Sequence, residues 1–381
     1  LVVVGSGDPS LTDATAAPVF SAWADALKAA GVRTITGRLV GDDRALGGEA
    51  LGMGWSWDDL PDGYAAGVGA LQFDENMARL TIVPGSAPGV PAVVTIVPDA
   101  TGLVVRNQVT TGAAGSVESI ETHRKPGSAE LELRGSVAVG SAARVHTVSV
   151  DRPAQFFVAA LREALIAAGI DVRGPAVDIS ELGAGDALSP DGLRLLIESR
   201  SPPLSALATR MMKASQNQYA ETLLRTLGAA AGTPTAENGA ATSASILQDW
   251  GVSDEGLIQR DGSGLSRYDY VSPEALVTIL THIDGDAMLR TPFEASLPVA
   301  GRDGTLSNRM KGTAAEGNAR AKSGSMSNVR TLSGYVTAAS GERLVFSILA
   351  NNFETAPDVV NAATDAIVVR LAQFTRSPQR H

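Results

Sequence analysis

The chain has 381 residues and no cysteine. That excludes disulfides, thiolate catalysis and thiolate metal sites together, and it suits an oxidising compartment without requiring one. Lysine is scarce: only five of the 31 basic residues are lysine, against 41 acidic ones, for a formal charge of −10. The clustered cations that a nucleic acid or an anionic membrane would reward are missing, so neither is expected as a partner. No stretch approaches the roughly 18 consecutive apolar residues of a membrane span. The four histidines, His123, His146, His282 and His381, stand apart with no paired spacing for a metal. No cofactor is expected either. "GSGDPS", residues 5 to 10, has G-x-G but places Ser10 where a dinucleotide loop needs its last glycine. No G-x-S-x-G elbow supports a Ser-His-Asp triad, although geometry alone could still build one.

What is present reads as globular. With 44% hydrophobic and 19% charged side chains the chain can bury a sizeable core, and its length predicts two or three domains. "LVVVGSGDPSLT" starts inside an apolar, β-branched run with no basic region or cleavage site, and the chain is read as the carboxy-terminal part of a longer product. A mature end that begins in a strand is the alternative.

Residues 18 to 30 place Phe20, Trp23 and Leu27 at helical spacing before Gly31, and "RTITGRLVGDD" follows as strand. From about 50 to 148, short alternating apolar runs cut by Gly and Pro predict a β-rich unit. Helical spacing returns at 153 to 170, with Phe157, Ala160, Leu161, Ala164 and Leu165 on one face. The β-rich stretch therefore reads as inserted into an α/β unit. Beyond about 185 come helices, then strands, then a last helix. Ser201 with Pro202 and Pro203 predicts a helix start, Leu204, Leu207 and Met211 form its stripe, and Tyr219, Leu223 and Leu227 form a second. Ser272 caps another helix with Pro273 at its first position. "TLSGYVTA" and "RLVFSILANN" flank "ASGE" as an antiparallel hairpin. In the closing helix Val360, Ala363, Ile367, Leu371 and Phe374 are expected to face that sheet.

Two segments could carry chemistry. In "KASQNQYAE", Ser215 and Asn217 would point about 200° apart on a regular helix, but a break between the two stripes can aim both at one cleft. Ser215 would then relay a proton and Asn217 would hydrogen-bond a substrate amide; the alternative is a helix junction capped by Ser and Asn. In "RAKSGSMSNVRTLSGYV", Lys322, Ser323, Gly324 and Ser325 read as a strand edge. Lysine there can simply block edge pairing. It can also hold a terminal carboxylate with the neighbouring hydroxyl while the edge takes an extended peptide, and Gly324 lets the backbones approach.

Taken together the segments resemble the class C low-molecular-mass penicillin-binding proteins, the D-alanyl-D-alanine carboxypeptidases and endopeptidases of the bacterial cell wall, a peptidase S13-like group. The likeness runs through "GWSWDDLPDGYAAGVGALQFDEN", "SPPLSALATRMMKASQNQYAETLLRTLG", "DGSGLSRYDYVSP", "LPVAGRDGTL" and "RAKSGSMSNVRTLSGYV". The fold it implies is α/β of the α+β type. Residues 186–381 would form a transpeptidase-like domain, an antiparallel sheet covered by helices. Residues 1–60 and 149–185 would form an inserted α/β domain, and 61–148 a nested β-rich domain. The implied activity is serine acylation of peptidoglycan peptides ending in D-Ala-D-Ala, with β-lactams as ligands and an extracytoplasmic, exported location.

By the same resemblance, Ser215, Asn217 and Lys322 are catalytic, while Ser323, Gly324 and Ser325 bind substrate. Ser215 would pass a proton toward the leaving amine beside Lys322, and Asn217 would orient the acylated chain. Ser323 with Lys322 would hold the terminal carboxylate, and the Ser325 N–H would form half an oxyanion hole.

One element departs from the pattern. The family's nucleophile and its lysine form S-x-x-K, and Asp25, Thr122, Arg210, Asn308 and Ala319 stand three residues before the five lysines, so none of them completes it. In the family that element lies upstream of the segment like "LVVVGSGDPSLT". Either the serine belongs to the same gene product, on a companion amino-terminal fragment for instance, or the protein is a noncatalytic binder of wall peptides or proteins. A β-lactamase-like hydrolase is the nearer rival to the carboxypeptidase reading.

Overall fold

The computed structural model describes residues 1–183 and 192–376. They form two compact units, Leu1–Ser201 with Glu221–Gly239, and Pro202–Ala220 with Ala240 onward. The expected boundary at 186, and His381, lie outside the described residues.

The first unit opens with β1 (Val2–Val4), α1 (Asp13–Ala29), β2 (Thr34–Ile35) and β3 (Leu39–Asp42). Helix α1 starts before Pro18 because Thr12 and Thr15 cap it reciprocally: each hydroxyl accepts the other's backbone N–H, at 3.3 and 2.7 Å. Pro18 then sits inside the helix, where it removes a single backbone donor. Ala16, Phe20, Ala24 and Leu27 face inward. Six strands follow: β4 (Met77–Val83), β5 (Val93–Val97), β6 (Val104–Gly112), β7 (Ser119–His123), β8 (Glu130–Ala138) and β9 (Arg144–Ser149). They make two sheets, in the orders β5-β4-β9 and β6-β8-β7. Alternation on β4 is plain, with Ala78, Leu80 and Ile82 buried and Arg79 and Val83 exposed. Helix α2 (Pro153–Ala167), β10 (Asp171–Val172) and β11 (Ala176–Asp178) complete the unit. Strands β1, β3 and β11 are parallel neighbours, and β2 pairs with β10, so the six β-rich strands lie in sequence between partners of the same parallel sheets. One apolar cluster joins α1 and α2 to β4, β6 and β8, with the Phe20 and Phe157 rings edge-on at 5.6 Å.

The second unit begins with α3 (Leu204–Ala214), which starts at Leu204 after Pro203; Ser201, expected to open it, stands before that cap. Helices α4 (Asn217–Ala230) and α5 (Ala236–Asp249) follow in the chain, their stretch Glu221–Gly239 being part of the first unit. The short pair β12 (Leu257–Ile258) and β13 (Tyr270–Val271) leads to α6 (Pro273–Gly285), whose Ser272 cap accepts the Ala275 N–H at 3.0 Å, and to α7 (Ala287–Ser296). An antiparallel sheet of β14 (Arg320–Met326), β15 (Val329–Thr337) and β16 (Arg343–Asn351) precedes α8 (Pro357–Ala372). The sheet order is β14-β15-β16, which leaves β14 at an edge.

Each face of this sheet has its own apolar layer. Ala321, Leu332, Val336 and Phe346 pack with Val368 and Ala372 of α8, while Tyr335 packs with Leu280 and Leu297 on the other side. A fully buried leucine such as Leu332 contributes about 2 kcal/mol through the area it removes from water. The face of α8 differs from the expected one. Thr364, Val368 and Ala372 are buried, whereas Ile367 is 48% and Phe374 44% exposed. Small residues on the inner side let the helix axis come close to the sheet, and Arg309 fixes its rotation by donating to Thr364 Oγ1 at 3.0 Å and to Asp365 Oδ1 at 2.6 Å.

Candidate active site

Ser215 ends α3 in the left-handed conformation, φ 56° and ψ 49°, with its N–H on the Met211 carbonyl. The Gln216 N–H shares that carbonyl at 2.9 Å, and α4 starts at Asn217. The reversal of backbone hand at Ser215 stops α3 and restarts the helix two residues later, so the 200° separation of a regular helix does not apply. Gln216 Oε1 accepts the Gln218 N–H at 2.9 Å, so the residue between the two candidates contributes to capping α4.

Lys322, Ser323, Gly324 and Ser325 all lie on β14. Three contacts reveal which backbone groups face away from β15. The Ala321 N–H donates to the Pro298 carbonyl at 3.0 Å, the Ala319 carbonyl accepts from Ala300, and the Ser323 carbonyl accepts from the Lys322 ammonium at 2.7 Å. Odd-numbered residues therefore turn their N–H and C=O to the open edge, and the strand period places the Ser323 and Ser325 N–H groups there too. The Pro298–Val299 segment covers the edge at Arg320 through an antiparallel bridge. Gly324 does a further job within the sheet: a Cβ there would come 2.4 Å from Thr331 Oγ1 on β15.

The two motifs meet. Lys322 Nζ donates to Ser215 Oγ at 2.6 Å, although 107 residues separate them. Lys322 and Ser323 leave the strand on opposite faces and flank the same edge, with Ser323 Oγ donating to Thr305 Oγ1 at 2.8 Å. Burial pushes the Lys322 ammonium down to about 8. A lysine so placed holds its proton at neutral pH and gives it up easily, so it can bind an anion and also take part in proton transfer.

Some neighbours carried no role in the sequence reading. Lys213, in the last turn of α3, pairs with Asp303, which also accepts the Val299 N–H at 2.9 Å. Burial pushes the Asp303 carboxyl up, but hydrogen bonds from Lys213 and the Val299 N–H, with the nearby positive charge, together hold it below its ordinary range. In "DGSGLSRYD", the Asp261 side chain is buried and accepts the N–H groups of Gly264 and Ser266, both at 2.7 Å. Asp269 is pushed up to about 8, first by burial and then by sharing a hydrogen bond with Asp261. From the same loop Arg267 donates to the Ser327 carbonyl at 3.3 Å, just beyond β14. Charged residues at long sequence separation signal no pairing in one sequence, which is why these partners were missed.

The histidines stay apart. His146 Nε2 is 3.3 Å from Asp62 Oδ1, His123 lies by Glu121, and His282 stacks on Trp250. Thr122 also donates to Asp62, at 2.8 Å, on β7 of the first unit. Among the described residues no group of three His, Asp or Glu side chains could hold a metal, and no helix is long and apolar enough to cross a membrane.

The D-alanyl-D-alanine carboxypeptidase of Actinomadura sp. (strain R39) is 37% identical over 386 residues, covering 98% of this chain and 69% of that protein. DacB of Haemophilus influenzae, also a D-alanyl-D-alanine carboxypeptidase by name, is 28% identical over 93% of this chain and 72% of its own length. The crystal structure of penicillin binding protein 4 (dacB) from H. influenzae superposes with a TM-score of 0.80 at 26% identity, covering 98% of this chain and 82% of that one. Its complex with a β-lactam superposes at 0.72. The mixed α+β fold expected from the sequence is the one observed. With residues 1–374 matching the family model described as D-Ala-D-Ala carboxypeptidase 3 (S13), the chain belongs to that family.

Proposed function

We propose that the Ser215–Asn217 turn and the edge of β14 form the peptide-holding part of a serine-type D-alanyl-D-alanine carboxypeptidase or D,D-endopeptidase, which also takes β-lactams. The observation that carries the reading is the 2.6 Å bond between Lys322 and Ser215, which brings two separate motifs to one strand edge. A peptide ending in D-Ala-D-Ala lies along the outward N–H and C=O groups of Ser323 and Ser325 as an added strand. Its carboxylate is held by the Lys322 ammonium and the Ser323 hydroxyl, each charge-assisted bond worth about 1.5 to 3 kcal/mol. The Ser325 N–H faces the carbonyl under attack. Ser215 hands a proton to the leaving amine, drawing on Lys322, and Asn217 orients the acyl chain. Water then releases the acyl group.

This reading requires an attacking serine and lysine from outside these 381 residues, which contain no S-x-x-K. The domain layout follows the same reading: 186–381 as the transpeptidase-like domain, 1–60 with 149–185 as the inserted α/β domain, and 61–148 nested within it. Action on wall peptides places the protein outside the cytoplasm.

A second reading has one observation in its favour, the absence of S-x-x-K from the sequence. It is a noncatalytic binder with the same edge. Denaturing intact mass of the complete gene product, with and without benzylpenicillin, separates the two. A penicilloyl adduct supports the enzyme, and its rapid turnover to free penicilloate would make the protein a β-lactamase instead. A folded sample without an adduct leaves only the binder.

A further inference from the structure

We propose that Thr305 is the positioning residue of the carboxylate-holding hydroxyl, and that the segment Pro298–Thr305 ties the two motifs of the site into one rigid piece. This rests on the anion-binding role given above to Lys322 and Ser323.

The segment contacts both β14 and the end of α3. At its start, the Pro298 carbonyl accepts from Ala321 and Val299 bridges to Arg320, anchoring it along β14. In the middle, Asp303 pairs with Lys213 two residues before Ser215, and its other oxygen holds the Val299 N–H. Gly304 follows with φ +55°, and a Cβ on it would stand 2.7 Å from the Lys213 carbonyl, so the segment reaches the end of α3 only because this residue lacks a side chain. Immediately afterwards Thr305 accepts the Ser323 hydroxyl at 2.8 Å. One short run thus fixes both the helix end that carries Ser215 and the strand residue beside Lys322.

The chemistry of two hydroxyls explains the role. A serine hydroxyl has one proton and a freely turning rotor. In the structure the Ser323 hydroxyl donates to Thr305 Oγ1. When a carboxylate arrives both rotors turn: Thr305 donates to Ser323 Oγ, and Ser323 donates to the anion. A hydroxyl that accepts one hydrogen bond is a stronger donor in the next, so Thr305 strengthens the grip on the anion without touching it. Lys322 approaches from the opposite face of the sheet and is held by Ser215, so the segment does not set the ammonium directly.

The test compares a short peptide ending in D-Ala-D-Ala with the same peptide as its terminal amide, by calorimetry on the full chain. Thr305→Val keeps the β-branched shape and removes the hydroxyl; it is expected to weaken the acid by about fivefold to tenfold and the amide by less than about twofold. Thr305→Ser should restore the acid to within about twofold of the native chain. In a Ser323→Ala background Thr305→Val should change nothing more, since Thr305 acts through Ser323. Equal losses for acid and amide, or a further loss in the Ser323→Ala background, would make Thr305 a structural residue only and overturn the proposal, while leaving the anion site in place. If Ser323→Ala and Lys322→Met do not themselves reduce the preference for acid over amide, the anion site itself is refuted, and this inference with it.

Discussion

Lys322 Nζ stands 2.6 Å from Ser215 Oγ, so an ammonium on a strand edge and a hydroxyl at a helix end share one proton position. Lys322→Met keeps most of the apolar stem and removes the charge. Affinity for a D-Ala-D-Ala peptide should then fall by about tenfold to a hundredfold, the loss of one or two charge-assisted bonds. Calorimetry reads it directly, and an unchanged affinity would show that the carboxylate lies elsewhere.

Burial brings Lys322 down to about 8, and this fixes the sign of two pH effects. Binding of the acid peptide should be level at pH 6 to 7 and weaken as pH rises through about 8, while binding of the amide stays level. For stability, the unfolded lysine keeps its proton up to its ordinary 10.5 while the folded one releases it near 8. Between those values the unfolded chain binds more protons, so the Lys322 contribution to stability increases with pH across that window. Titration of melting temperature for the native chain against Lys322→Met isolates it.

Ser215 combines a hydroxyl with a left-handed backbone, and two substitutions separate these properties. Ser215→Gly and Ser215→Ala both remove the hydroxyl, but only glycine adopts φ 56° without strain. The glycine variant should be the more stable of the two by about 1 kcal/mol in denaturant unfolding. Equal stability would mean that the turn at 215 carries no backbone strain.

Asp269 holds a proton in the fold up to about 8 because it is buried against Asp261. Unfolded, it loses that proton near its ordinary 3.8, so from there to about 8 its contribution to stability declines as pH rises. Asp269→Asn supplies a permanent donor to Asp261 and keeps an acceptor for the Arg260 N–H, which now reaches Asp269 at 2.6 Å. The variant should melt at a higher temperature than the native chain at pH 8 to 9, with the difference shrinking toward pH 5. A variant less stable at every pH would show that the carboxyl pair does not share a proton.

Local pattern made much of this visible beforehand. Alternation marked β4, turn residues marked the β15–β16 hairpin, and a break between two apolar stripes placed Ser215 and Asn217 at a junction. Edge position and composition singled out Lys322. What stayed hidden depended on pairings between distant residues. Thr305 lies 18 residues from Ser323, and Lys213 lies 90 from Asp303; neither spacing has a periodic signature. The inner face of α8 was misjudged for a different reason: its small buried residues, Thr364 and Ala372, carry a weaker apolar signal than the exposed Ile367 and Phe374.

The alternation along β14 also makes that strand its own reporter in hydrogen exchange. The amides of Lys322 and Gly324 point into the ladder with β15, so they should exchange slowly whether or not anything is bound, and Ala321 is shielded by Pro298. The amides of Ser323 and Ser325 face outward and should exchange fast until a ligand lies across them. Every second amide of one short strand thus records occupancy, with its neighbours as internal references for the integrity of the sheet.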